Sequence, residues 1–286
     1  MDSTLRTHIS EIISKPIHHV SDLQGGDISH AYKIICDGHA YFLKTNEAAY
    51  ALEMFQSEVT SLGAIKHTNT IKTPEIISCG IFKNRAYLLL EFIPTKTADA
   101  SDFKTLGKQL AQLHQNTQEN FGFPQHNFIG KLTQSNTEHN NWLEFYTYER
   151  LLPQLNLATE KSLLKANEAP SEAQILSTLK PLFENIKPSL IHGDLWSGNY
   201  LISDNDVPYL IDPAAYYGHY EVDIAMSQLF GGFDQEFYEA YLQEVEQESF
   251  NQKRIEIYQL YFLLVHLNMF GYSYYTDVVH ILRKYF

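Results

Sequence analysis

The residue types best suited to chemistry cluster late in the chain, in Leu190-Ile191-His192-Gly193-Asp194-Leu195-Trp196-Ser197-Gly198-Asn199-Tyr200-Leu201-Ile202 and Tyr209-Leu210-Ile211-Asp212-Pro213. Two apolar strands flank a polar loop, and a third polar group, Asp212, follows at a strand end. A carboxylate, an amide and a second carboxylate, in that order, are what phosphoryl transfer from a nucleotide needs. One carboxylate orients and deprotonates the attacking hydroxyl, while the amide oxygen and the other carboxylate hold Mg²⁺ on the phosphates. A turn rich in Gly, Asp and Asn would carry the same residue types with no chemistry at all. The upstream chain decides between the two, because it offers the remaining parts of a nucleotide site.

Those parts come in sequence order. In Leu23-Gln24-Gly25-Gly26-Asp27-Ile28-Ser29-His30-Ala31, a glycine pair lets backbone approach a ligand closely and leaves N–H groups for phosphate oxygens. Two glycines alone would equally make a turn. Ala31 to Cys36 reads as a strand, Asp37-Gly38 as a hairpin turn and Ala40 to Lys44 as the return strand. Lys44, at a strand end, is the candidate for contacting the α/β-phosphates. Ala51 to Ile65 reads as a helix with Phe55, Val59 and Leu62 on one face. Glu58 lies beside that face and can reach Lys44, Glu53 lies opposite, and Glu47 is a rival partner. Thr73 to Ile77 and Ala86 to Phe92 supply two more strands, the second stopped by Pro94. By position, Glu91, Phe92 and Ile93 form the hinge against which an adenine edge would pair.

Beyond Pro94 the pattern turns helical. Leu5 to Ile17 is a short amphipathic helix of the first part, and Phe103 to His114 is a core helix closed by a packed or capping histidine. Phe121 to Gly130 reads as a loop, Trp142 to Leu152 as amphipathic and Asn156 to Ile186 as mostly helical, with Pro188 ending it. Asp223 would cap its helix or hold the polar loop through backbone N–H groups. Phe233 to Tyr241 and Ile255 to Phe270 complete the helical part. His266 and Asn268, polar groups in an apolar helix, either pair within the core or line the substrate side. The fold class expected is α+β in two lobes, an antiparallel-sheet lobe at 1–93 and a mainly helical lobe at 94–286.

The 286 residues, 44% hydrophobic and 19% charged, describe an ordinary soluble globular protein. A formal net charge of −13 argues against binding a nucleic-acid backbone and suits cationic small substrates, although solubility accounts for it equally well. Cys36 and Cys79 have no metal-ligand spacing and read as the reduced cysteines of a cytoplasmic protein. Met1 to Ser10 has no secretory pattern. Leu260 to Phe270 falls well short of the ~20 apolar residues of a membrane helix.

Assembled, these parts resemble the protein-kinase-like fold of small-molecule kinases. Within that group the chain resembles the fructosamine kinase (ketosamine 3-kinase) family over nearly its whole length. The carriers are Gly25-Gly26-Asp27-Ile28, His192-Gly193-Asp194-Leu195-Trp196-Ser197-Gly198-Asn199 and Ile211-Asp212-Pro213-Ala214. Phe121-Gly122-Phe123 to Ile129-Gly130, Gln134-Ser135-Asn136, Trp142, Phe145-Tyr146, His266-Leu267-Asn268 and Phe270-Gly271 extend the likeness. Trp196 discriminates, since the related aminoglycoside phosphotransferases often carry histidine there.

The resemblance implies ATP and Mg²⁺ as cofactors, Asp194 as the base, and Asn199 and Asp212 as metal ligands. Lys44, held by Glu58, would sit on the phosphates with Gly25, Gly26 and Asp27. Trp196 would stack on the sugar or its amine-linked end, or else be a buried aromatic plug; His192, His266 and Asn268 join it on the substrate side. The implied reaction is phosphorylation of the O3 hydroxyl of ketoamines such as fructosamines or ribulosamines, on a small amine or a glycated protein lysine. Loss of the phosphorylated sugar then repairs the amine. A monomer without nucleic-acid or membrane partners is expected.

Two positions depart from the family pattern. Ser29 stands where asparagine is frequent, and Asp27 where some members carry a redox-active cysteine, so that regulation does not carry over. A kinase of another cationic alcohol, such as an aminoglycoside or a choline-like compound, and a pseudokinase-like binding protein are the competing readings.

Overall fold

The computed structural model describes residues 1–23, 29–245, 247 and 249–286. Helix α1 (Ser3–Ile13) starts where Asp2 accepts from the Leu5 N–H and ends at Ser14, whose left-handed φ of 51° breaks the helical path. The helix expected to reach Ile17 therefore stops short. Ile17–Leu23 instead forms β1, a strand the sequence pattern did not reveal. Strands β2 (His30–Cys36) and β3 (His39–Asn46) turn at Asp37-Gly38, with Gly38 at φ 69°.

After helix α2 (Ala51–His67) come β4 (Ile76–Phe82) and β5 (Arg85–Glu91). Strand β4 begins later and runs further than the expected Thr73 to Ile77. Pro74 has no N–H for a ladder, and Gly80 continues the strand because an added Cβ there would sit 3.0 Å from the Tyr87 hydroxyl. The five strands form one antiparallel sheet in the order β1-β2-β3-β5-β4, and β5, between β3 and β4, is mostly buried. One sheet face packs α1 through Leu5 and Ile9, and α2 packs through Phe55 and Leu62 into a separate cluster with Leu88 and Leu90.

Helix α3 (Ala100–His114) opens on a capping box between Asp99 and Asp102. The expected loop at Phe121 to Gly130 contains β6 (Asn127–Ile129), which pairs with β7 (Leu132–Gln134) across a turn at Gly130, φ 59°. Trp142 to Leu152 is α4 (Trp142–Phe145) followed by a π-helical turn at Tyr146–Leu151, and α5 (Leu152–Glu160) continues it. Helical structure is shorter than expected over Asn156 to Ile186. Ser162 turns left-handed, and α6 (Glu172–Leu179) starts only after Pro170, capped by Ser171.

Strand β8 (Ser189–Ile191) pairs with β11 (Tyr216–Gly218), and β9 (Tyr200–Ile202) pairs with β10 (Pro208–Leu210). Helices α7 (Glu221–Leu229), α8 (Gln235–Glu244), α9 (Gln252–Phe270) and α10 (Tyr275–Tyr285) follow. Helix α9 is apolar almost all round and runs through the main core. Helix α10, amphipathic with Val278, Ile281 and Leu282 inward, was not read from the sequence. Among the described residues no helix is long and apolar enough to cross a membrane.

Backbone hydrogen bonds tie the sheet to the helical part. Leu210 N–H donates to Lys72 O at 2.9 Å, Lys96 N–H to Ile202 O at 3.0 Å and Asp204 N–H to Pro94 O at 3.0 Å. The β9–β10 hairpin is thereby held on both sides of the α2–β5 region. Helices α3 and α8 pack closely because Gly107 lacks a side chain: an added Cβ would lie 2.3 Å from Phe237 O. Gly107→Ala is expected to gain helix propensity of up to about 1 kcal/mol yet lose about 1–3 kcal/mol to overpacking. Urea unfolding should therefore show a lower midpoint; a raised one would mean the helices separate freely.

Candidate active site

Lys44 is buried near the end of β3, and a buried ammonium is tolerated only when paired. Its Nζ donates to both Glu58 carboxylate oxygens, at 2.9 and 3.0 Å, and to Asp212 Oδ1. Burial opposes the charge, but the Asp212 and Glu58 carboxylates outweigh it and hold the lysine above its usual range. Burial pushes the Glu58 carboxyl upward, with Lys44 opposing and Asp212 adding to the push. The rival Glu47 is taken by Arg85, at 2.9 and 2.7 Å, and Glu53 is exposed.

The loop carrying Asp194 is anchored from beneath. Asp223 on α7 is fully buried and accepts from the His192 N–H at 2.7 Å and the Gly193 N–H at 2.8 Å. Of the two roles open to Asp223, holding the loop is the one the geometry gives. His114 Nε2–H donates to the same carboxylate at 3.1 Å, and its Nδ1 accepts from the Tyr241 hydroxyl at 2.7 Å. His114 is thus a packed core histidine. Gly193 is required twice over: its φ is 84°, and a Cβ would lie 2.2 Å from Ala214 O.

His192, placed with the substrate side above, is fully buried. Its Nε2–H donates to Ile211 O at 2.9 Å, and its Nδ1 accepts from Asp194 N–H at 3.2 Å. Burial lowers its pKa, so the ring is a neutral splint between the two polar segments. Asn199 Nδ2 donates to Asp194 O at 2.8 Å and to Asp194 Oδ2 at 3.3 Å. Its Oδ1 accepts no hydrogen bond from the described residues. Burial first, then the Asp212 and Asp223 carboxylates, push Asp194 up to about 7 against the Asn199 hydrogen bond. Asp212, two residues past the end of β10, holds a left-handed φ of 54°.

The fit of Mg²⁺ can be judged from the donors alone. No group of three His, Cys, Asp or Glu side chains that could hold a metal ion occurs among the described residues. Asn199 Oδ1 and the Asp212 carboxylate, 43% exposed, are a sparse set of hard oxygens. That set fits Mg²⁺, which keeps waters and binds one or two protein ligands together with substrate phosphates.

Trp196 is 40% exposed with its ring lying over Gly198, so it is not a buried plug. Asn268 does not reach open surface; its Nδ2 donates to Gln154 O and Oε1, both at 2.9 Å, within the core. His266 is partly buried among the rings of Phe230, Phe270 and Tyr274, with Nδ1 on Phe262 O. At the hinge, Glu91 N–H is taken by Glu75 O and Phe92 N–H by Ala40 O. The Ile93 N–H has no partner among the described residues. Gly25, Gly26 and Asp27 lie outside the described residues. Cys36 and Cys79 are free, and burial raises both thiols, Cys79 to about 11.

Comparison with known proteins places this geometry. The model of the fructosamine kinase family matches residues 1–286. The chain belongs to the fructosamine kinase family. A Lactiplantibacillus plantarum protein named "Probable ketoamine kinase" is 37% identical over 98% of this chain and 99% of its own. The chloroplastic protein-ribulosamine 3-kinase of Arabidopsis thaliana is 36% identical over 93% of this chain and 82% of its own. Among solved structures, a Haemophilus somnus 129PT protein assigned as a fructosamine-3-kinase superposes with a TM-score of 0.87 at 29% identity, covering 98% of this chain and 96% of that one. The two-lobed α+β, kinase-like architecture expected from the sequence is the family's fold.

Sequence reasoning missed the buried groups that support the candidate site from behind: Ser61 and Asn127, which hold the Ala215 backbone, and Tyr261, which reaches Asn127 through Gln134. Only the family likeness of Gln134-Ser135-Asn136 pointed toward that region. Asp223→Ala would leave the His192 and Gly193 N–H groups and His114 Nε2 unsatisfied, at about 1–3 kcal/mol each. Urea unfolding is expected to show a loss of about 3 kcal/mol or more. An unchanged midpoint would mean that the loop stands without this anchor.

Proposed function

We propose that this member of the fructosamine kinase family phosphorylates the O3 hydroxyl of ketoamines with ATP. The observation that carries the reading is the joining of Lys44, Glu58 and Asp212 beside Asp194 and Asn199. The relatives named for ketoamines and protein-linked ribulosamines support the acceptor.

The hydroxyl approaches Asp194, whose carboxylate, raised to about 7, accepts the proton as the new O3–P bond forms. The bond between the γ-phosphorus and its bridging oxygen breaks, and ADP leaves with that electron pair. Asn199 Nδ2 fixes the Asp194 oxygen that faces it, which leaves Oδ1 available to a ligand. Bound Mg²⁺, held by Asn199 Oδ1 and Asp212, would neutralise charge on the nucleotide phosphates. Lys44, kept cationic by Glu58, contacts the α/β-phosphates, with Gly25, Gly26 and Asp27 covering them. Ile93 N–H, beside Glu91 and Phe92, meets the adenine edge.

Trp196 offers its exposed face to the sugar or its cationic amine, an interaction that aromatic rings favour; His266 is assigned to the acceptor side with it. Residues 1–93 serve as the nucleotide lobe and 94–286 as the lobe for catalysis and acceptor. The protein works in the cytoplasm as a monomer, on free ketoamines or glycated lysines, without membrane or nucleic acid.

The test is ADP release from Mg-ATP with ribuloselysine, fructoselysine, kanamycin, choline or buffer. Turnover with a ketoamine alone supports the reading; turnover with kanamycin or choline alone overturns the acceptor. Asp194→Asn should lower kcat by about 10²–10⁴-fold while nucleotide still binds. An unchanged rate would remove Asp194 from the mechanism. Asp212→Ala should weaken nucleotide affinity in a Mg²⁺ titration, and unaltered affinity would contradict its assignment as a ligand.

A further inference from the structure

The β6–β7 hairpin belongs by sequence to the helical lobe, yet it packs against α2. Phe128 stacks on Tyr50 at the start of α2, the ring centroids 5.9 Å apart. Next to it Asn127 is buried, and its Nδ2 donates to Ala215 O at 3.0 Å. Asn127 Oδ1 accepts from Gln134 Nε2 at 2.7 Å, and Gln134 Oε1 accepts from the Tyr261 hydroxyl of α9 at 2.5 Å.

This chain of groups has one self-consistent polarity. The Tyr261 hydroxyl fixes the Gln134 oxygen, which turns Nε2 toward Asn127 Oδ1 and leaves Asn127 Nδ2 for the backbone. From the opposite side, Ala215 N–H donates to Ser61 Oγ at 3.3 Å. Ser61 sits on α2 one turn beyond Glu58, on the same side of the helix. Both backbone groups of Ala215 are therefore claimed, one by the hairpin and one by α2. Ala214 is held too, its N–H donating to His192 O at 2.9 Å.

Just before this clamp lies Asp212, a non-glycine residue in the left-handed region. Such a conformation costs of order 1 kcal/mol and persists only where neighbours impose it. We propose that Tyr261, Gln134, Asn127 and Ser61 are positioning residues. Together they lock α2, and with it Glu58, to the segment bearing Asp212, so that the lysine partner and the metal carboxylate are presented as one rigid unit. The inference rests on the reading of Asp212 as a metal ligand.

The test is calorimetric binding of ADP, with Mg²⁺ and with EDTA, to the wild type, Asn127→Leu and Tyr261→Phe, with the KM for ketoamine beside it. Asn127→Leu is expected to weaken Mg²⁺-ADP binding about tenfold and Tyr261→Phe about threefold, the size of one or two lost buried hydrogen bonds. Affinity in EDTA and the KM for ketoamine should stay within about twofold in both. A relay that serves only stability would lower the unfolding midpoint without changing the ratio of metal-loaded to metal-free affinity, and that result overturns the proposal. If Asn127→Leu does not fold, Tyr261→Phe decides, because it removes a single hydroxyl. A wild type that binds ADP in neither condition would overturn the nucleotide reading and this inference with it.

Discussion

A single buried ammonium organises this molecule. Lys44 is out of water, so its charge must be matched, and both carboxylates that match it come from elsewhere in the fold. Glu58 arrives on α2 and Asp212 from the end of β10. The three-way contact therefore exists only when sheet, helix and the far lobe are assembled together. The backbone bonds at Lys72, Pro94 and Lys96 fasten the β9–β10 hairpin into the same junction. Stability and the proposed function are coupled here: the pairing that permits a buried lysine also fixes the position from which it is proposed to contact phosphates.

The Asp194 side is built by a different logic. A strand, a left-handed glycine and a buried carboxylate make a loop whose backbone N–H groups are satisfied from below rather than by ladder bonds. With its backbone held, the loop keeps the Asp194 carboxylate beside Asn199 and near two other acids. That crowding and burial raise its proton affinity into the range useful to a general base. His192 joins the two polar segments as a neutral splint, which explains a histidine at a position with no exposed surface.

Much of this was legible in residue order. Helical periodicity offered Glu58 to Lys44, because it lies beside the inward face of α2 with Glu53 opposite, whereas Glu47 stayed a rival until the structure showed Arg85 holding it. The β2–β3 hairpin followed from Asp37-Gly38. The failures have equally physical causes. Strand β1 was hidden because its alternation is broken by His18 and His19, exposed on an edge strand. Strand β4 was truncated because glycine usually marks a turn, whereas Gly80 makes room for the Tyr87 ring. Helix α10 was missed because its apolar stripe is short and lies among tyrosines and charged residues.

By itself the sequence determined the reactive groups, their order, and the family to which they belong, since those depend on residue type and spacing. Tertiary structure decided which polar residues serve from behind. Asn268 and His192 face the core, Trp196 faces outward, and Asn127, Gln134, Ser61 and Tyr261 meet around Ala215. Apart from the Asn127–Gln134 pair within one hairpin, those partners are distant along the chain. Their hydrogen bonds gain strength only in the low-dielectric interior that packing creates, and no local pattern encodes them.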